Sequence, residues 1–371
     1  AVNGRRKDIS YTARQIMYHP LQIKRRKPDD EKAISILTVI CMTLALAGCN
    51  SKTVLSNGET VTAKRVYQLG HVNTSAEDDQ YQYFAMVFAN KIKELSKGEI
   101  AIDIVTDSVL GGERDMMEGM KLGTIDMALI TNFSLGSFST EWEIFDLPYI
   151  FQDREEAYSI LDNEKIMGPM EKRLYDQWSV KVLSYGDGGF RHTMNNVRPI
   201  NKAEDMKGMR LRLPETAIYV DAFKAMNANP TTLAFSETFT AVEQGTVDGL
   251  ELPISSFHST GYGEICDYLS LTGHFYSPYQ MDVSSFVWEN LTKEEQGWFE
   301  EAAKEAMEKE RVFVQEKEEE FLAQMADNGL KINEVEDKGS LAKAATAIYE
   351  DYRDEIGSDL LDNVLGELGR N

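Results

Sequence analysis

The chain has 371 residues, 42% of them apolar, and carries a formal net charge of −22 at pH 7 with three cysteines. At about 150 residues per domain, that length predicts roughly two domains with real hydrophobic cores. So acidic a surface repels phosphate backbones, which argues against nucleic acid as a partner and against membrane attachment through a basic patch.

Residues 1–33 are basic (RRK at Arg5–Lys7, KRRK at Lys24–Lys27) and show no sustained period, so they are set aside from the fold reading. Ile34–Gly48, ISILTVICMTLALAG, is an uncharged apolar run. It is too short to span a bilayer but suits a secretory h-region. It ends in Leu46-Ala47-Gly48-Cys49, which resembles a bacterial lipobox. Residues 34–48 are therefore expected to be a lipoprotein signal segment and Cys49 the lipidated amino terminus. Residues 49–63 read as a polar tether. Cys41 lies in the h-region, which leaves Cys266 alone in the body and no internal disulfide. Residues 1–48 hold nine Lys/Arg and four Asp/Glu, so without them the net charge is −27.

From Lys64 onward strand and helix patterns alternate. Arg65–Gly70 reads as a strand, and Tyr83, Phe84, Val87, Phe88, Ile92 and Leu95 trace one helical stripe. Ile100, Ile102 and Ile104 alternate as a strand should, Glu113–Leu122 reads as a helix closed by Gly123, and Ile125–Ile130 is an apolar strand. Short links between such elements imply parallel pairing with right-handed crossovers. Gly186-Asp187-Gly188-Gly189 reads as a turn or hinge. The grammar then repeats: the MRLRL strand, a helix carrying Ile218, Ala222 and Met226 that ends at NANP, a helix capped by Ser236 and closed by Gly245, and the VDGLEL strand. Thr292 and Glu295 form a capping box that opens a helical pattern to about Gly329. A helix that long exceeds one small domain and is able to brace two.

The chain holds no G-x-x-x-x-G-K-[ST], G-x-S-x-G, H-E-x-x-H or paired C-x-x-C, and its five histidines are scattered. No catalytic residue, cofactor or metal is expected. What remains is a set of residues read at or beyond the carboxyl ends of strands, where open α/β sheets bind ligands. Arg191 follows GDGGF, Arg212 ends MRLRL with Glu215 just past Pro214, Phe235 precedes a helix, Glu251 ends VDGLEL, and His274 follows LSLTG. Two of them are cations and one is aromatic. Pairing with one of the many surface carboxylates is the competing reading for any single arginine. Glu77, Asp78 and Asp79, after the first strand, offer acceptors for hydroxyls, although acidic helix starts are commonplace.

The segment Asp205–Pro253, DMKGMRLRLPETAIYVDAFKAMNANPTTLAFSETFTAVEQGTVDGLELP, resembles the signature region of the substrate-binding proteins of TRAP (tripartite ATP-independent periplasmic) transporters, the DctP-like family. So do YQLGHV at Tyr67–Val72, GEIAIDIVTDSVLGGERDMMEGMKLGTIDMAL, and FDLPYIF at Phe145–Phe151. The resemblance implies an α/β, two-lobed periplasmic-binding-protein-like fold with a ligand cleft between lobes and a long bracing helix. Residues 64–188 with 278–317 would form lobe I, and 189–277 with 318–371 lobe II. It implies that Arg212 clamps a ligand carboxylate, with the planar fork that a lysine lacks. Arg191 would be a second arginine near the ligand, Phe235 a ring packed on it, and His274 a polar contact. Arg210 matches no ligand position and is assigned a structural ion pair. Leu252 stands where many members carry a ligand-contacting asparagine. The acidic and basic contacts of sialic-acid binders are also absent, with Thr131 and Ser134 near those places.

The expected protein is thus an exported, lipid-anchored, monomeric receptor that delivers a small organic acid to TRAP membrane permease subunits. A sugar acid such as a uronate or aldonate is the first expectation. A 2-oxo acid or a C4-dicarboxylate, or service to an ATP-driven importer or sensor kinase, is the alternative. An exported α/β enzyme is a further rival, with no nucleophile or metal signature in its favour.

Overall fold

The computed structural model describes residues 52–370. The expected signal segment, Cys49 and the basic segment before them lie outside the described residues.

A small antiparallel hairpin, β1 (Thr53–Val54) and β2 (Thr60–Val61), precedes the body. A nine-stranded sheet forms the frame: β3 (Arg65–Gly70), β4 (Ile100–Val105), β5 (Met127–Thr131), β6 (Val180–Asn195), β7 (Arg210–Leu213), β8 (Asn229–Thr232), β9 (Gly249–Pro253), β10 (Tyr268–Ser284) and β11 (Lys331–Glu334). Its order is β4-β3-β5-β10-β6-β9-β7-β8, with β11 against β10. One wing, β4-β3-β5, is parallel, and so is the other, β9-β7-β8. Two long antiparallel strands, β6 and β10, run through the middle and belong to both wings.

The parallel wings agree with the alternation in the sequence. The centre does not, because Gly186-Asp187-Gly188-Gly189 lies inside β6 rather than in a turn. A Cβ on Gly186 would meet the Tyr279 ring at 2.1 Å, and one on Gly188 would meet the Ser277 carbonyl oxygen at 2.0 Å. These glycines let two strands press together where their register shifts. For the same reason Arg191 and His274 sit within long strands, not beyond strand ends. Pro230 by itself argues against a strand at β8, yet β8 is the sheet's edge, where proline's missing N–H costs no ladder bond.

Of the helices that position the site, α1 (Gln80–Leu95) buries Phe84, Phe88 and Ile92 against the first wing. α2 (Glu113–Leu122) ends at Gly123 with φ +71°. α3 (Arg154–Leu161) and α4 (Glu164–Trp178) follow. α5 (Ala217–Ala225), α6 (Phe235–Glu243) and α7 (Ile254–Ser259) serve the second wing. α6 begins at Phe235 after Ala234, so Ser236 lies inside its first turn and is not the cap. α8 runs unbroken for 35 residues, Lys293–Asp327, opened by the Thr292–Glu295 capping box. Phe299 meets Phe88 of the first wing edge-on at 5.7 Å, and Phe321 stacks on His258 of α7 at 4.2 Å. The helix therefore packs along both wings. α9 (Lys338–Ala345) follows β11.

Candidate functional site

β7 is where the sequence places its two neighbouring arginines, and the fold treats them differently. Met209, Leu211 and Leu213 are buried on one face. On the other, Arg210 is largely exposed and closes on Asp248 at 2.5 Å, while its remaining donors reach the carbonyls of Gly245 and Thr246. Arg212, two residues further in, is only 3% exposed. Its Nε and Nη2 donate to the Leu233 carbonyl at 3.0 and 2.7 Å, and the guanidinium stands 5.9 Å from the Phe235 ring. Among the described residues it has no carboxylate partner. Burial lowers its pKa to about 10; nearby Glu251 opposes this and Arg191 adds to it. A buried cation left uncompensated by the protein favours any anion that reaches it.

Arg212 lines a cavity of about 370 Å³ between the two wings. Arg191, from β6, also lines it, but its charge is taken. Nε and Nη2 bind the two Glu251 carboxylate oxygens at 2.5 and 2.7 Å, and Nη1 donates to Ser277 Oγ at 3.2 Å. Burial opposes charge on both partners. Their mutual attraction outweighs it, holding Arg191 above and Glu251 below their ordinary pKa values.

Glu251 and His274 are fully buried behind the wall and do not line the cavity. His274 Nε2 lies 3.4 Å from Glu251, and its Nδ1 pairs with Thr272 Oγ1 at 2.7 Å. Burial lowers the imidazole's pKa although Glu251 raises it. Phe235 and Glu215 line the cavity, with Glu215 on its exposed rim. Glu77 belongs instead to a separate groove beside the β1–β2 hairpin, and Asp78 faces His258 at 3.2 Å. The fold thus brings together Arg212, Arg191, Phe235 and Glu215 of the residues singled out from sequence.

The opposite wall holds a carboxylate that sequence reasoning missed. Glu113, the first residue of α2, is buried and lines the cavity. It accepts from the Thr131 amide at 3.1 Å and from the hydroxyls of Thr131 and Ser134. Burial raises its pKa, and those hydroxyl bonds pull it back. The only sequence signal was an acidic residue opening a helix after Gly111-Gly112, a pattern the helix dipole makes common. Asn73, Tyr81, Ser236 and Ser256 add neutral polar groups; Phe133, Leu233 and Leu252 add apolar surface. Arg114, the third arginine at the cavity, is exposed and bridged to Glu118 at 3.3 Å.

Residues 69–355 match the profile of the family described as DctP, bacterial extracellular solute-binding protein, family 7. The chain belongs to this family. Among its members, a 2,3-diketo-L-gulonate-binding periplasmic protein of Escherichia coli is 30% identical over 259 residues, 70% of this chain and 78% of that one. A TRAP periplasmic solute-binding protein from Polaromonas sp. JS666, crystallised with D-erythronate, superposes with a TM-score of 0.77 at 32% identity, covering 81% of this chain and 98% of that one. A TRAP protein from Sulfurospirillum deleyianum with bound succinate superposes with a TM-score of 0.76, also at 32% identity and with the same coverages. These solved relatives have the two-lobed periplasmic-binding architecture, and the mixed α/β fold with a central sheet is of that kind.

Proposed function

We propose that this family 7 receptor binds a sugar acid, with the ligand carboxylate on Arg212 and its hydroxyls toward Glu113 and the neutral polar groups of the opposite wall. The observation that carries the reading is the buried Arg212 guanidinium, which has no carboxylate partner among the described residues while Arg191 beside it is neutralised by Glu251. One free cation suits one carboxylate, and a planar fork suits its two oxygens. A dicarboxylate would need a second cation, and the remaining one at the cavity, Arg114, is exposed and already bridged. Glu113 is an acceptor that hydroxyls satisfy and a second carboxylate does not. The D-erythronate of the Polaromonas protein and the diketogulonate of the E. coli protein support this class.

A 2-oxo acid is the second reading, favoured by Leu252, which presents apolar surface to the cavity. Succinate, bound by the Sulfurospirillum relative, is the third.

In the proposed cycle, lobes 64–188 with 278–317 and 189–277 with 318–371 close on the acid through flexure of β6, β10 and α8. The loaded receptor hands the acid unchanged to a TRAP permease, held near it by an acylated Cys49. A thermal-shift panel of D-erythronate, other aldonates, uronates, pyruvate and succinate tests the ligand class. A true ligand at a hundred times its dissociation constant adds about 2.7 kcal/mol. Stabilisation by aldonates or uronates, lost in Arg212→Ala, is expected. Stabilisation by succinate or pyruvate alone would overturn the sugar-acid reading. Intact-mass measurement of membrane-extracted protein tests the anchor, and retention of residues 34–48 would reject it.

A further inference from the structure

A second cavity, of about 720 Å³, opens on the other face of the sheet. Strand alternation separates the two: Arg191 of β6 faces the first, whereas its neighbours Phe190 and His192 line the second. From sites of known use, about 300–1,000 Å³ is the range that accepts a small organic molecule. One part of the wall is aromatic, built from Tyr149, Phe151, Phe190 and Tyr349.

The polar part is a cluster of donors. His192 is 8% exposed, and its Nδ1 accepts the Gly273 amide proton at 3.0 Å. That bond fixes the neutral tautomer, so Nε2 carries the hydrogen, and among the described residues Nε2 has no acceptor. Lys338, at the start of α9, is close by. A Cβ on Gly273 would lie 2.8 Å from Lys338 Nζ and 3.8 Å from His192 Cε1, so ammonium and imidazole flank the same glycine. The two other cations there are already paired. Arg154 binds Asp187 at 2.7 Å and Glu318 at 2.9 Å, and Arg370 binds Glu156 and the Ile150 carbonyl. Lys338 has no ion-pair partner among the described residues, and Glu334 stands on the exposed rim.

We infer that this rear cavity is a second ligand site, for a monocarboxylate with an aromatic or bulky apolar body, its carboxylate held by Lys338 Nζ and His192 Nε2–H. The aromatic wall takes the body and the donor pair takes the charge. Burial, with His274, Lys338 and Arg154 adding, keeps His192 neutral, so the imidazole acts as a hydrogen-bond donor and not as a counter-charge. The inference does not depend on the ligand class of the first cavity, because no residue is shared between the two.

Benzoate is the probe, titrated into the full chain by calorimetry or ligand-observed NMR. Saturable binding is expected, with the same affinity in Arg212→Ala, which disables the first cavity. Lys338→Ala, at an exposed position that the fold tolerates, should weaken binding by about tenfold or more. His192→Phe should weaken it likewise, and His192→Gln, which keeps a donor, should weaken it less. Three results would each overturn the site: no saturable binding below about 20 mM, a free energy near −2.3 kcal/mol; loss of benzoate binding in Arg212→Ala; or unchanged binding in Lys338→Ala.

Discussion

Glu251 closes both carboxylate oxygens on Arg191, at 2.5 and 2.7 Å, inside a wall where neither side chain is more than 4% exposed. The pair makes Arg191 a fixed part of the cavity and leaves Arg212 as its buried cation without a carboxylate partner among the described residues. Breaking a buried pair from one side typically costs about 3–5 kcal/mol. Glu251→Gln should therefore lower the melting temperature markedly. It should also shift relative affinity from monocarboxylates toward succinate, since Arg191 would then be free. Melting curves and competition calorimetry check both halves, and an unchanged succinate-to-aldonate ratio would mean that Glu251 does not set the charge of the cavity.

Arg212 should trade stability for function. A buried cation without a counter-charge burdens the empty protein, because its desolvation is not repaid, so an apolar side chain of similar length should be better tolerated there. Arg212→Met is expected to melt higher than the parent without ligand and to lose ligand-induced stabilisation. Arg212→Lys should rescue binding poorly, because a point charge cannot fork onto a carboxylate. Wild-type affinity in the lysine variant would rule out a two-point clamp.

Glu113 should discriminate by hydroxyl content. It is an acceptor held by Thr131 and Ser134, so Glu113→Gln replaces one acceptor oxygen with a donor. Losing a charge-assisted hydrogen bond costs about 1.5–3 kcal/mol, roughly ten- to a hundredfold in affinity. That loss is expected for aldonates or uronates and not for pyruvate, measured side by side by calorimetry. Equal losses for all acids would assign Glu113 to the shape of the wall alone.

Asp79 should give the protein a measurable acid-side pH dependence. It caps α1 through the amides of Tyr81 and Gln82 and accepts from Ser259 Oγ of α7 at 2.7 Å. Burial raises its pKa to about 6, against the pull of Ser259, Asn73 and the two amides. The folded state therefore holds this proton more tightly than the unfolded chain does. Its contribution is most favourable below the unfolded pKa near 3.8 and falls as pH rises to about 6, by on the order of 3 kcal/mol. Asp79→Asn should gain on the parent across that window and run parallel to it above. A fixed offset from the altered Asn73 contact does not change with pH, so the slope of the difference, from urea midpoints at several pH values, carries the test.

How much of this was legible beforehand depends on the range of the interaction. Local pattern was enough for the wings apart from the edge strand β8: alternation in β4 and β7, the Gly123 stop of α2, and the Thr292–Glu295 box that opens α8 all depend on neighbours within one turn or one strand. Arg212 was legible through its place at the end of a strand and the family motif around it. The GDGG segment was misread because glycine signals a turn locally, and its use in close strand packing depends on Ser277 and Tyr279, some ninety residues away.

Charge assignment is where the sequence by itself stopped. It determined that arginines, acids and an aromatic would meet in an α/β receptor, but an arginine reads the same whether it is free or paired. Only the tertiary structure decided that Arg210 goes to Asp248, Arg191 to Glu251, and Arg212 to no carboxylate among the described residues. Only it brought Glu113 from the first wing to face Arg212 from the second. Pairing is a matter of a few ångströms between residues distant in the chain, and burial sets what each pairing is worth. Both quantities come into being only when the two wings pack.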